Sequence, residues 1–189
     1  MGREDQMKRL FYYLRYDWPL HLIMLSTGWL PDNVIFFRFR GMLARPFFGS
    51  CGVDLRLGRN ITFHSASSVH IGSHVYIALG CHFIGVGEIR IGNEAIFGPY
   101  TVVSAANHTK FQGSYRYGPI TNSAITIGSG TWVGAHTTVL AGAIIGKGCI
   151  IGSNAAVTKG IIPDDSFAAG VPAVVKKIKQ SDSAVELPL

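Results

Sequence analysis

Charge is scarce in this sequence. Asp, Glu, Lys and Arg together make up 15% of its 189 residues, and the formal net charge is +6. That surplus is moderate, and no recognised nucleic-acid-binding motif accompanies it, so no nucleic-acid partner is expected; an anionic ligand or a membrane surface suits the charge equally well. Cysteine is nearly absent. Cys51, Cys81 and Cys149 form neither a metal-ligand spacing nor a disulfide framework, which excludes a disulfide-stapled scaffold. Long apolar runs are missing as well. The best one, residues 20–30, is too short and too broken to span a bilayer, and no signal-peptide cleavage pattern follows the start. A cytoplasmic location is expected.

What is abundant is glycine, with 23 residues, and it falls on a six-residue beat. Ile127-Gly128, Val133-Gly134, Val139, Ile145-Gly146, Ile151-Gly152 and Val157 keep an unbroken register, and Ile71-Gly72, Ile77, Phe83, Ile91-Gly92, Phe97-Gly98 and Val103 repeat it earlier. Four residues after each large apolar residue comes a small one, as in Ile71/Val75, Ile77/Cys81, Phe97/Thr101, Val133/Thr137 and Ile145/Cys149. A helix would place its apolar residues near a 3.6 period, which these do not follow. A short strand and a bend fit instead: the large residue points inward and the small one fills the corner, with Gly, Asn and Ser easing the bend. Cys81 and Cys149 then become buried small thiols in a reducing compartment. One hexad cannot bury its own apolar residue, so successive turns must stack, and the fold class is an all-β parallel solenoid.

Interruptions set the number of hexads per turn. The register slips by two after Phe83, so a turn runs from Ile71 to Ile91, three hexads plus two residues, and a triangular prism results. Leu57-Gly58 and Phe63 begin it with an incomplete first turn. The largest interruption lies between Val103 and Ile127, where the beat lands on Thr109, Tyr115 and Thr121. Residues 107–122 are therefore expected as an extruded loop, the kind of segment that carries function on a rigid scaffold.

The ends differ in texture. Residues 7–49 interleave aromatics such as Phe11, Tyr16, Trp18 and Trp29 with basic residues. Pro31-Asp32-Asn33 reads as a helix start and Arg45-Pro46 as its end. Two helical pieces are expected to cap the open end of the prism; a second role is an amphipathic surface touching the inner membrane face. After Val157 the beat stops, Ala169-Gly170-Val171-Pro172 makes a turn, residues 173–180 are expected as a short helix, and 181–189 as a loose tail. The division is thus 1–52 cap, 53–162 prism with its loop, and 163–189 C-terminal extension.

Gly130-Thr131-Trp132-Val133-Gly134-Ala135, Val157-Thr158-Lys159 and Ala169-Gly170-Val171-Pro172-Ala173, in this order, resemble the signature of the hexapeptide-repeat acyltransferases, closest to the galactoside, maltose and capsule O-acetyltransferase branch. The resemblance covers about residues 55–179. It implies a left-handed parallel β-helix, against the usual crossover preference, a homotrimer, and acetyl-CoA as co-substrate in the groove between neighbouring prisms, with the extruded loop of one subunit helping to close it. It places the catalytic histidine at His108, as the base that takes the proton of an attacking hydroxyl.

Further assignments follow from the resemblance or from the turn length. The backbone N–H around Ala135 is expected to meet the oxyanion; many relatives carry Ser there. Trp132 and Gly134 line the pantetheine channel, with Ser153, Thr158 and Lys159 along the CoA channel. Lys176 and Lys177 are placed toward the CoA phosphates, whereas Val174 stands where relatives often carry Lys or Arg. Glu88 precedes His108 by one twenty-residue turn, so stacking would set it beside the histidine as an orienting partner. His82, Asn107, Lys110, Tyr115 and Tyr117, with Arg116, are candidate acceptor contacts, aromatic faces suiting sugar rings. His64, His70, His74 and His136 fall at non-core hexad positions without a zinc-site spacing, and no metal is expected.

The resulting expectation is an acetyl-CoA-dependent O-acetyltransferase acting on a sugar or glycan hydroxyl in surface-polysaccharide assembly. Two other readings stay open at this point: an N-acetyltransferase acting on an amino nucleotide-sugar or a xenobiotic, and a non-catalytic trimeric β-helix that serves as a binding module.

Overall fold

The computed structural model describes residues 3–178. Three parallel sheets form the faces of a prism, and the inward residue of each hexad stacks into a column. On the first face the column is Cys51, Ile71, Ile91, Ile127, Ile145 and Ile162. On the second it is Leu57, Ile77, Phe97, Val133, Ile151 and Ala168. On the third it is Phe63, Phe83, Val103, Val139 and Val157. Together these columns make the core, and the architecture is that of a left-handed β-helix. Each turn closes the apolar face left open by the one before it, which is why no single hexad is stable alone.

The corner slots hold the small residues that the beat requires. Val75, Ala95, Thr131, Cys149 and Ser166 fill one corner, and Cys81, Thr101, Thr137 and Ala155 the next, each no more than 1% exposed. Threonine is admissible there because its hydroxyl is satisfied by turn carbonyls. Thr101 Oγ1 donates to Gly98 O at 2.9 Å, and Thr131 Oγ1 to Gly146 O at 2.8 Å. Burial also pushes the Cys81 thiol up to about 11, so it stays protonated and inert.

The cap consists of two helical pieces. The first runs through α1 (Arg3–Tyr12), a π-helical turn (Tyr13–Asp17) and α2 (Trp18–Thr27). The second is α3 (Val34–Ala44), started by Asn33, whose side chain accepts the N–H of Phe36 at 3.1 Å, and ended by a tight turn at Arg45–Phe47. The cap is seated on the first turn: Leu20, Met24, Ala44 and Phe48 join the core, and any side chain at Gly41 would collide with the carbonyl of Leu55.

Three expectations are corrected. The first turn is complete, because Ser50–Cys51 pairs with Val69–Ile71 and supplies its first face. The prism does not end at 162: Gly160–Ile162 and Ser166–Ala169 lie in the first and second sheets. The beat is lost there because Val157 to Ile162 is a step of five, taken through Gly160 at φ +150°, before six is restored at Ala168. Finally, Val174–Ile178 is a strand and not a helix, antiparallel to Ser166–Ala169. β-Branched Val174, Val175 and Ile178 suit an extended chain, and the last strand of the second face offers an unpaired edge. The tail expected at 181–189, and the ends of the expected helix at 179 and 180, lie outside the described residues.

Candidate functional site

The hairpin leaves the prism where the third face turns toward the first. After Val102–Ser104, residues Ala106–His108 pair antiparallel with Ile120–Asn122, and the Ser123 N–H donates to Ala105 O at 3.1 Å. That last bond closes the excursion, so the next turn resumes in register above Ile89–Ile91. His108 lies opposite Ile120 on the exposed arm. Thr109 Oγ1, donating to Pro119 O at 2.6 Å, pins the arms just beyond it. The His108 imidazole has no hydrogen-bond partner among the described residues of its own chain. Asn107, Lys110, Tyr115 and Tyr117 are exposed along the hairpin, and the Arg116 guanidinium stands 5.8 Å from the Tyr117 ring.

Stacking does not bring Glu88 to His108 within one chain. Its carbonyl accepts the N–H of Ile125, so the ladder carries position 88 to Ala124 and the intervening hairpin takes His108 out of the stack. The carboxylate instead meets Arg90 at 2.8 Å and His70 at 3.3 Å, and Ser50 Oγ sits 3.0 Å from the other ring nitrogen of His70. The Arg90 guanidinium holds the Glu88 carboxyl below its usual range. A Ser50–His70–Glu88–Arg90 chain thus runs across the outside of the first face. Its members 50, 70 and 90 share one outward column, a regularity that the turn length of twenty already contains.

Trp132, Gly134, Ala135 and Ser153 collect on the second face and at the corner between the second and third faces, whereas Thr158 and Lys159 follow Val157 at the corner between the third and first faces. Trp132 is 42% exposed and stands in an outward apolar column with Ile96 and Ile150. Gly134 is buried directly beneath the next turn, where a Cβ would come within 2.6 Å of Ser153 N. At this corner the N–H groups of Arg59, Leu79, Ala135 and Ser153 find no acceptor among the described residues. At the neighbouring corner most of the equivalent groups are capped by side chains of the following turn, Asn93 Oδ1 taking Ser73 N–H at 2.8 Å and Ser129 Oγ taking Asn93 N–H at 3.1 Å, while the Ser129 N–H finds no acceptor among the described residues. Unclaimed donors in a row along one edge suit an anionic or carbonyl oxygen.

Lys159 lies with its stem over Gly142, Thr158 is exposed beside it, and Lys176 is exposed on the terminal strand; the side chain of Lys177 lies outside the described residues. His82 is exposed at the start of its third-face strand, in register with Val102. Sequence reasoning missed the Tyr100–His136 pair, stacked at 5.2 Å and 17° next to Ala135. Both take positive φ at the same corner of successive turns, so the register could have found them. Within one chain, then, His108 and the donor N–H groups stand at different corners of the triangle. Among the described residues no group of three His, Cys, Asp or Glu side chains is arranged to hold a metal ion, and no helix is long and apolar enough to cross a membrane.

The model of the family described as bacterial transferase hexapeptide (six repeats) matches residues 124–159. The chain is 28% identical over 144 residues to the galactoside O-acetyltransferase of Escherichia coli strain K12, an alignment covering 76% of this chain and 70% of that protein. It is 33% identical over 139 residues to the putative lipopolysaccharide biosynthesis O-acetyl transferase WbbJ of the same strain, covering 67% of each. Among solved structures, a galactoside acetyltransferase in complex with coenzyme A matches with a TM-score of 0.76 at 26% identity, over 94% of this chain and 84% of that one.

Proposed function

Because the chain belongs to the hexapeptide-repeat acyltransferase family, we propose that it is a homotrimeric, cytoplasmic O-acetyltransferase that moves an acetyl group from acetyl-CoA to a sugar or glycan hydroxyl in surface-polysaccharide assembly. The observation that carries the reading is the division of the chemistry between two corners. A base with no partner among the described residues of its own chain stands on a projecting hairpin, and the unclaimed N–H groups of Ala135 and Ser153 line an edge beside an outward tryptophan. A neighbouring prism brings such a hairpin to such an edge, and the groove between them takes the co-substrate.

In this reading neutral His108 accepts the proton of the acceptor hydroxyl as its oxygen attacks the thioester carbonyl. The carbonyl oxygen gains negative charge and is met by the Ala135 N–H. The intermediate then collapses, the C–S bond breaks, and the His108 imidazolium returns the proton to the departing thiolate. No covalent enzyme intermediate is needed. Trp132, Gly134, Ser153, Thr158 and Lys159 line the channel for the pantetheine arm, and Lys176 with Lys177 faces the CoA phosphates. Asn107, Lys110, Tyr115, Tyr117 and His82 are assigned to the acceptor side. The orienting partner of His108 comes from the neighbouring subunit or from a backbone carbonyl. Residues 7–49 face the inner membrane surface.

The test is release of CoA thiol from acetyl-CoA across a panel of free sugars and amino sugars. His108→Ala is expected to lower turnover by roughly 10²–10⁴-fold while CoA still binds. Release that ignores the substitution would overturn the role of His108. No release with any acceptor, together with no CoA binding, would make the protein a binding module.

A further inference from the structure

The first helical piece has two unlike sides. Toward the prism, Leu20 and Met24 are buried, and Asp17 turns inward to accept the N–H groups of Ser65 and Ala66 at 3.4 and 3.2 Å. On the other side Phe11, Leu14, Trp18, Leu22, Leu25 and Trp29 are 48–79% exposed. From Phe11 to Leu25 the spacing of three and four residues makes one stripe along the helical piece, and Trp29 follows in the turn just past its end. The piece comprises the two ten-residue helices and the five-residue turn between them, roughly 37 Å at the helical rise. A continuous water-facing stripe of large apolar side chains on this scale marks a surface that is covered in use.

Charge selects a lipid surface as the cover. Residues 1–49 contain seven Arg and Lys against four Asp and Glu, a formal surplus of seven less four, +3. Glu4 pairs with Lys8 at 3.1 Å, Asp17 holds the two prism N–H groups, Asp32 is held by Arg40 and Arg59, and Arg38 pairs with Asp54. The surplus that these pairs leave is basic and complements anionic head groups. Tryptophan prefers the water–lipid boundary, and the stripe carries two. No described helix is able to cross a bilayer, so this one would lie in the interface. Geometry agrees: the cap packs on the first turn, so a parallel trimer presents three stripes at one end, where their weak affinities combine.

We infer that this stripe seats the trimer on an anionic bilayer, and that the acceptor is a glycan held on a membrane lipid; the second part rests on the glycan reading above. The hairpin leaves after the third strand of its face, two strand spacings above the first turn. With the cap helix beneath, the site stands roughly 20 Å from the surface, a height that a membrane-held glycan reaches and a bare lipid head group does not.

The experiment uses the full chain and sedimentation with vesicles of phosphatidylcholine, with and without anionic phosphatidylglycerol. The wild type is expected to bind the anionic vesicles, and Leu22→Ser/Leu25→Ser to bind them roughly tenfold more weakly or worse, since each exposed leucine loses its burial in lipid. The double variant should remain trimeric and release CoA thiol with a free sugar at the wild-type rate, yet lose turnover of a lipid-linked sugar in vesicles. A wild type that ignores anionic vesicles overturns the docking. A double variant whose association state changes while vesicle binding does not also overturns it, by making the stripe a contact between copies. Vesicle binding that is intact while no acceptor is acetylated leaves the docking in place and overturns only the transferase reading.

Discussion

Replacing Arg40 by Met is expected to release the cap from the prism. Arg40 is fully buried. Its Nη1 donates to Asp32 Oδ1 at 2.8 Å and to Leu57 O at 3.2 Å. Its Nη2 donates to Leu30 O at 2.6 Å, and Nη2 and Nε both reach Thr27 O at 3.4 Å. One side chain thus ties the end of α2, the turn before α3 and the first strand of the second face together. Methionine keeps much of the apolar stem, so the loss is chiefly electrostatic: three carbonyls and a carboxylate each lose a charged donor, although Thr27 O keeps the Leu30 N–H at 3.1 Å. Removing one partner of a buried ion pair costs about 3–5 kcal/mol. Arg59 Nε remains 3.3 Å from Asp32 Oδ2, and the Asp32 side chain is 22% exposed, so the low end applies, about 3 kcal/mol. That corresponds to roughly a hundredfold rise in the opening equilibrium of the cap. Amide hydrogen exchange across Val34–Ala44 reads it directly, with Ile125–Ile127 in the prism as the internal reference. Unchanged exchange in α3, or a higher thermal midpoint, would refute the clamp.

Two further outcomes are expected. Arg56 beside Asp54, followed by Arg38 and His74, holds the Asp54 carboxyl well below the usual carboxylate range against burial that would raise it; a depressed native pKa stabilises above the unfolded value near 4 and is lost as pH falls below it. Asp54→Asn, which tolerates the native φ of +52°, should therefore be less stable than the wild type in denaturant at pH 7, and a gap that fails to shrink on going to pH 3 would contradict the assignment. Co-expressing His108→Ala with Trp132→Asp should restore about one quarter of wild-type turnover if each site combines the hairpin of one subunit with the edge of the next in randomly mixed trimers; no restoration would return the whole site to one chain.

Much of the fold was legible because a period of six constrains every rung at once. The inward columns and the small corner residues follow from it, down to Thr101 and Thr137, whose hydroxyls the turn carbonyls satisfy. Two misreadings share a cause: each counts along the chain where the structure counts along the stack. Glu88 and His108 are one turn length apart in sequence, but the Ser123–Ala105 bond removes the hairpin from the count and leaves Ala124 above Glu88. The end of the prism was placed at 162 because a single missing residue at Gly160 broke the beat, although the backbone ladder absorbed it. Residues 174–178 are a strand because β-branched Val174, Val175 and Ile178 meet an open sheet edge there, which the sequence around them does not announce. Arg40 carried no signal, since a lone arginine in a helix looks solvated until the carbonyls around it are known. The same reasoning bears on the site. Corner identity follows from position within the hexad, so the register alone puts Ala135 at the second corner and starts the hairpin at the third. On the proposed roles of His108 and the Ala135 N–H, groups that begin at different corners of a rigid triangle are joined more readily by a second prism than by deforming the first, because every rung of the ladder would have to shift to bring them together.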